Sequence, residues 1–317
     1  SLSATHSFRS QDGSFRGNMV NAAASCRPVR YNMKSYFYRV AGIVFRADLP
    51  ESIDAERCLP SFRAFCCGRT EPDFVFVVSD SGGISFPQTE VVDESDSDLG
   101  HVVLGRAVSG HYVTEIGGRH KMLSDSEFME NMAEIDLDAP DARASIVSML
   151  RLAFSQAALK LKGISLHASA VVLEGRAFLF LGSSGTGKST HSALWLKNFT
   201  GSRLLNDDNP ALRLEDGKVM AYGTPWSGKT PCYVNEKWPV GGIVRLRQAP
   251  YNRFTECVDI DSFVNILPSC SAVRGDRLLQ TRLHDTLAEI CAEIRTGILE
   301  CRPDDGAAIL CETNINK

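Results

Sequence analysis

The sequence predicts an α/β protein: a mixed sheet flanked by helices over residues 136–317, with a smaller β-rich unit at 33–135. Three observations predict it. Short runs of β-branched and aromatic residues, bounded by turn residues, fill 33–135. An apolar stripe of helical period opens the second half at 141–161. Beyond it, apolar runs short enough for buried strands surround a glycine-rich turn and a further helical stretch.

In the β-rich unit the expected strands are Tyr36–Arg46, Phe74–Val78, His101–Leu104 and Tyr112–Ile116. Ser79-Asp80-Ser81-Gly82-Gly83 and Ile116-Gly117-Gly118 punctuate them. Glu90–Asp98 is acidic and reads as a solvated loop. No constellation of chemical groups stands out here, so the unit is expected to dock on the second half of the chain or to shape a substrate site. Residues 1–32 are rich in Ser, Ala and Arg without apolar periodicity, and read as a disordered extension.

The helix at 141–161 carries Ile146, Leu150, Phe154, Ala157 and Leu161 on one face. Asp138, Pro140 and Asp141 suit its start, and Gly163 its end. Ser165–Leu173 and Ala177–Gly182 come next as buried strands. Ala211–Leu214 and Val219–Tyr222 form a hairpin about Glu215-Asp216-Gly217-Lys218. Gly242–Leu246 is another strand, Leu278–Ile298 a second helix, and Ile309–Glu312 a last strand.

Composition excludes some classes. The 317 residues are 44% hydrophobic and 23% charged, enough for a sizeable core. A net charge of −4 argues against a nucleic-acid or anionic-membrane partner chosen by bulk charge. No apolar run is long enough to span a bilayer. The ten cysteines lack the spacing of a zinc or redox motif, and read as reduced core residues of a cytoplasmic protein.

Gly182-Ser183-Ser184-Gly185-Thr186-Gly187-Lys188-Ser189 fits the phosphate-loop (Walker A) pattern at every fixed position. Glycines let successive N–H groups turn inward around an anion. A strand before the loop and a helix after it complete the setting, because a helix N-terminus adds positive potential. Lys188 is placed to reach the outer phosphates, and the Ser189 hydroxyl to ligate Mg²⁺. The candidate nucleotide contacts are Gly182, Ser183, Ser184, Gly185, Thr186, Gly187, Lys188, Ser189 and Thr190.

Leu204-Leu205-Asn206-Asp207-Asp208 reads as a short strand running into two carboxylates. A metal would relieve the repulsion of adjacent acids, and one of them could take a proton from an attacking hydroxyl. The same residues are also good turn chemistry, a reading that loses ground once a phosphate loop precedes them. His167, alone in a strand, reads by itself as a core histidine. Gly223–Thr230 is a second glycine-rich loop. It is either an ordinary turn or a loop near the phosphates with Lys229 neutralising charge. Arg245 and Arg247 read as solvated or ion-paired side chains.

His167, the Gly182–Ser189 loop and Asn206-Asp207-Asp208 together resemble the catalytic domain of HPr kinase/phosphorylase, whose nucleotide-binding core is shared with phosphoenolpyruvate carboxykinase. The resemblance covers roughly residues 160–250. It implies ATP and Mg²⁺ as cofactors, Asp207 as general base, Asp208 at the metal, and His167 beside the base. The family's second signature has no match here, and Gly223–Thr230 lies near its expected place.

The function expected is therefore an ATP-dependent kinase acting on a serine hydroxyl of a protein or peptide, or on a small-molecule alcohol, and possible as a homo-oligomer. A nucleotide-binding sensor or scaffold without transfer chemistry is the alternative from another class. A carboxykinase-like enzyme is a third, lacking identifiable residues for a carboxylate pocket.

Overall fold

The first half of the chain folds as one long antiparallel meander interrupted by two parallel pairings. The computed structural model describes residues 32–80 and 82–317. Except for Asn32, the expected extension 1–32 lies outside the described residues.

The strands of the first sheet are β1 (Met33–Val40), β2 (Ile43–Pro50), β3 (Phe74–Asp80), β4 (Glu90–Ser97), β5 (Gly100–Arg106), β6 (Tyr112–Ile116), β7 (His120–Ser124) and β8 (Glu130–Ile135). They lie in the order β1-β2-β3-β8-β7-β6-β5-β4. Only the pairs β2–β3 and β3–β8 are parallel. The expected strand Tyr36–Arg46 is a hairpin instead. Ala41 and Gly42 both take positive φ, 50° and 75°, which is what a tight two-residue turn between twisted strands requires.

The acidic run expected as a loop is the edge strand β4, paired with β5. Carboxylates on an exposed edge keep it from pairing with another chain. Of strands β7 and β8, not identified from sequence, β7 is buried except at Lys121, and β8 alternates half-exposed and buried residues, both over mixed polarity. The short helix α1 (Ala55–Cys58) and a 3-10 turn at Pro60–Phe65 join β2 to β3.

Helix α2 (Ala142–Lys160) matches the expected span to within a residue at either end. It packs against β3, β7 and β8 on one side and against the second half of the chain on the other. Its end is made by Lys162 at φ 55°, and Gly163 instead opens the next strand.

The second sheet is built from β9 (Gly163–Ser165), β10 (Ala168–Leu173), β11 (Arg176–Leu181), β12 (Arg203–Asn206), β13 (Ala211–Glu215), β14 (Lys218–Tyr222), β15 (Lys237–Gln248), β16 (Arg253–Cys257) and β17 (Thr296–Cys301). Its order is β12-β10-β11-β15-β14-β13-β9, with β17 also beside β15 and β16 beyond β17. Strand β15 pairs in parallel with β11 and β17 and antiparallel with β14, so the sheet is mixed. Helices α3 (Lys188–Asn198), α4 (Ile260–Ile266), α5 (Arg277–Glu293) and α6 (Asp305–Ile315) flank it.

Two expected elements change type here, in part or whole. The second helix stops at Glu293, and the apolar residues beyond it form β17, whose partner β15 could not be read locally. Ile309–Glu312 lies inside α6, which starts where the Asp304 carboxylate accepts the Ala307 N–H at 2.9 Å.

One buried cluster runs through both sheets, α2 and α5. Trp226 joins the halves: its ring lies 5.4 Å from Phe62 and 5.0 Å from Phe154. The Arg213 guanidinium donates to the carbonyls of Ala41 and Leu161, at 3.1 and 3.0 Å. A second cluster, with Phe178, Phe180, Trp195 and Leu299, lies under α3 and α6. None of the nine described cysteines is in a disulfide; Cys58, Cys257 and Cys311 are core residues, but Cys66 is exposed.

Candidate functional site

Strand β11 runs out at Leu181 into the glycine turn, which feeds α3 directly. Gly185 and Gly187 take φ of 79° and 105°. A Cβ at either would meet nothing within 4 Å, so these glycines serve the backbone angle, not a lack of room. The turn closes on itself through a 2.9 Å bond between the Ser183 and Thr186 hydroxyls and a 3.2 Å bond from Thr186 N–H to the Ser183 carbonyl. Helix α3 begins with Gly187 as its cap residue and no capping side chain. Its first N–H groups and its positive dipole end are therefore free of a competing protein acceptor at the cap. Ser183, Ser184, Gly185, Ser189 and Thr190 are exposed beside it.

Lys188 is buried, at 8% exposure. Its ammonium folds back under the turn, donating to the carbonyls of Gly182 (2.9 Å) and Ser183 (3.3 Å) and to His167 Nε2 (2.9 Å). An ammonium has no lone pair, so His167 Nε2 accepts and Nδ1 carries the proton. That Nδ1–H faces Asp208 Oδ1 at 3.0 Å. The result is one chain of contacts from the glycine turn through Lys188 and His167 to Asp208.

The backbone explains why these groups meet. The expected strand Ser165–Leu173 is broken between β9 and β10 at Leu166-His167. There, His167 N–H binds the Ser269 carbonyl at 2.8 Å, and Ala168 N–H the Asp208 carbonyl at 3.0 Å. Asn206, fully buried at the end of β12, shapes the acid pair. Its Oδ1 accepts the N–H groups of Asp208 (2.9 Å) and Asn209 (2.7 Å). Its Nδ2 donates to Thr224 and Trp226 in the second glycine loop.

Asp207 and Asp208 sit in different surroundings. Asp207 is 4% exposed; Ser169 Oγ donates to its Oδ1 at 3.2 Å, and Thr230 N–H to its Oδ2 at 3.0 Å. Ser169 in turn shares a 2.6 Å hydrogen bond with Ser192 of α3. Asp208 is only partly covered, accepts from Asn209 Nδ2, and lies 3.9 Å from the Arg151 guanidinium. Burial pushes the Asp208 carboxyl up, but the hydrogen bond from His167 and the charges of His167, Arg151 and Lys188 outweigh it, holding the group below its ordinary value. Burial lowers Lys188, with Asp208 and Asp207 pulling the other way.

The second glycine loop lies against the acid pair, but through the Thr230 N–H; Lys229 points to solvent. Arg245 is half-buried and has no ion pair among the described residues. Its guanidinium donates to the Asn265 carbonyl (2.6 Å) and the Ser269 hydroxyl (2.9 Å), bracing the segment that binds His167. Arg247 is exposed. Sequence reasoning missed Arg151, which sits on a helix with no motif, and Asn206, whose place before two acids and an Asn-Pro was a usable turn signal.

Among the described residues no group of three or more His, Cys, Asp or Glu could cage a metal ion. Ser189 at the start of α3 and the carboxylates of Asp207 and Asp208 are oxygen donors of the kind that Mg²⁺ takes together with phosphate oxygens and water. Two cavities adjoin the turn and the acid pair. One, of about 450 Å³, lies beyond Gly185, Gly187 and Thr190, against Leu194 and Gln248. The other, of about 370 Å³, is reached past His167, Arg151 and Asn209. No helix among the described residues is long and apolar enough to cross a membrane.

Neither a family model nor a curated protein matches the chain. Among solved structures the chain is similar to the Hpr(Ser) kinase/phosphatase from Coxiella burnetii, at 14% identity over 47% of this chain and 91% of that one, with a TM-score of 0.28. A likeness at that TM-score carries no weight. On its own strand order the fold is a mixed α/β arrangement of two mixed sheets and helices.

Proposed function

We propose that the chain is an ATP-dependent kinase that transfers the γ-phosphoryl group to an alcohol, foremost a serine hydroxyl of a protein or peptide. The observation that carries this reading is the Lys188–His167–Asp208 chain of contacts beneath an uncapped helix start. An anion at the α3 N-terminus would draw the Lys188 ammonium off the Gly182 and Ser183 carbonyls, since charge-assisted bonds to phosphate are the stronger ones. That movement would free His167 Nε2.

The resemblance gives proton uptake to Asp207 and the metal to Asp208. The contacts favour sharing the work differently. His167 lines the 370 Å³ cavity, and Asp208 holds its ring in the tautomer that leaves Nε2 as acceptor. We therefore assign proton uptake to His167 Nε2, with Asp208 stabilising the charge that forms there. Asp207, whose oxygens accept from Ser169 and Thr230, is near enough for its charge to act on the Lys188 ammonium. Ser189 and the two carboxylates are the groups that would hold Mg²⁺, which supplies charge neutralisation on the transferring group.

The test is transfer of a radiolabelled γ-phosphate to a panel of seryl proteins, seryl peptides and small alcohols. Wild type should label an acceptor, and Lys188→Ala should lose at least about 10²-fold, the usual cost of one electrostatic contact to the transition state. Undiminished labelling by Lys188→Ala overturns the reading, as does a wild-type chain that does not bind ATP in a calorimetric titration.

A further inference from the structure

The 370 Å³ cavity does not end at the acid pair. A second cavity, of about 670 Å³, begins where it stops, and the two share Ser97, Ser148, Arg151 and Asn209. Together they form a groove along α2, roofed by the β4–β5 hairpin of the first sheet. His167 opens onto one cavity, and Asn209, whose side chain is bonded to Asp208, lies at the junction. A groove that continues on both sides of the reacting groups suits a ligand that also continues on both sides. A small alcohol needs one closed chamber; an extended chain needs two arms.

The arms differ in character. The 670 Å³ arm carries Arg143 and Tyr233. The 370 Å³ arm carries the side chain of Asp93, exposed on the edge strand β4 opposite Leu104, whereas the Glu94 side chain alternates to the other face, where it meets His101 at 3.6 Å. Thr114, 1% exposed, lines the same arm, and its Oγ1 has no hydrogen-bond partner. An unpaired buried hydroxyl is costly unless something satisfies it, and a peptide backbone offers both donors and acceptors.

We propose that this groove is the acceptor site and takes an extended peptide. Its serine lies at the Arg151–Asn209 junction, and a lysine or arginine a few residues away lies against Asp93. The inference rests on the kinase reading. In the transfer, the serine Oγ forms a bond to the γ-phosphorus as the bond from phosphorus to the β–γ bridging oxygen breaks. The serine proton goes to His167 Nε2 and then to water, and ADP leaves. The first sheet thereby becomes the substrate-reading half of the molecule.

Three nine-residue peptides test this: an alanine-flanked serine, and the same peptide with a lysine three residues before or after the serine. Binding is read by fluorescence anisotropy of labelled peptides on the full chain without nucleotide, and transfer as kcat/KM. One lysine peptide should be preferred about threefold over the alanine peptide, the scale of one exposed charge contact. Asp93→Ala should erase the preference in both readouts while the alanine peptide behaves as before. Phosphorylation of glycerol or serinol with both lysine peptides refused overturns the proposal, as does a lysine preference that survives Asp93→Ala. Loss of nucleotide binding would instead sink the kinase reading. ATP hydrolysis with every peptide refused sinks the groove alone.

Discussion

The two glycine-rich loops, Gly182–Ser189 and Gly223–Thr230, both contain Gly-Lys and both border the acid pair, yet they are built in opposite ways. In the first, Gly185 and Gly187 take left-handed angles in open space, and the helix it starts has no capping side chain. In the second, the glycines have ordinary φ and no room. A Cβ on Gly228 would stand 2.9 Å from the Asp207 carbonyl oxygen. Thr224 Oγ1 donates to the Asn209 carbonyl at 2.7 Å, Ser227 Oγ to the Thr230 carbonyl at 2.7 Å, and Thr230 N–H to Asp207. One loop keeps its donors for a guest; the other uses them to fix carboxylates. A glycine count cannot distinguish the two, but backbone angle and packing distance do.

The largest effect comes from cutting the second loop loose. Asn206 makes bonds to two backbone N–H groups with one side-chain atom and to Thr224 and Trp226 with the other, all buried except the part-buried bond from Asp208 N–H. Asn206→Ala strands several of these partners, so a loss of about 3–4 kcal/mol is expected, from roughly 1 kcal/mol per buried hydrogen bond. Urea unfolding measures it. Transfer should fall with it, while nucleotide affinity changes much less. A variant that unfolds like wild type would mean the second loop is held by something other than Asn206.

The next effect concerns the anchorage of the first loop, which is tied down from behind through α3 and, from β15, by Gln248 Nε2 donating to the Gly185 carbonyl at 3.2 Å. His191 is 3% exposed, accepts from Trp195 Nε1 at 3.1 Å, and meets the Phe180 ring at 4.6 Å between centroids. Burial pulls its pKa down to about 4. The unfolded chain binds this proton near pH 6.5 and the folded chain only near 4, so stability is fullest above about 6.5 and falls as pH drops between the two. The contribution amounts to about 3 kcal/mol across that window. His191→Gln should flatten the slope of unfolding free energy between pH 6.5 and 4, whatever its absolute stability. An unchanged slope would show that His191 does not titrate differently in the two states.

What the sequence disclosed obeys the same division between local and distant causes. The first loop, the strand before it, the helix after it and α2 were legible because angle, cap and periodicity are properties of neighbouring residues. The β4 edge strand was not, because Glu90–Ser97 reads as solvated and is held by its pairing with β5. Neither was β17, whose apolar residues look helical until β15 lies beside them. In the site, Lys188, His167 and the acid pair could be named, but not the contacts between them. Those depend on the break at Leu166-His167, which is fixed by the carbonyls of Pro210 and Ser269 from distant parts of the chain. Arg151 and Thr114 carry no signal at all until a sheet and a helix close a cavity around them.

The smallest effect sharpens the contrast most. Gly187→Ala asks a side-chain-bearing residue to hold φ 105°, at a cost of about 1–2 kcal/mol, with nothing nearby for the new methyl to strike. The damage should stay in the first loop: ADP affinity, read by calorimetry, falls, and the acid pair keeps its setting. Gly228→Ala costs a comparable amount, about 1–3 kcal/mol, by overpacking rather than by angle. Its methyl presses on Asp207 and, at 3.2 Å, on Asp208 Cβ, so transfer should fall while ADP affinity holds. If both variants lose affinity and transfer in equal proportion, the loops share one job, and the difference in their construction has no functional meaning.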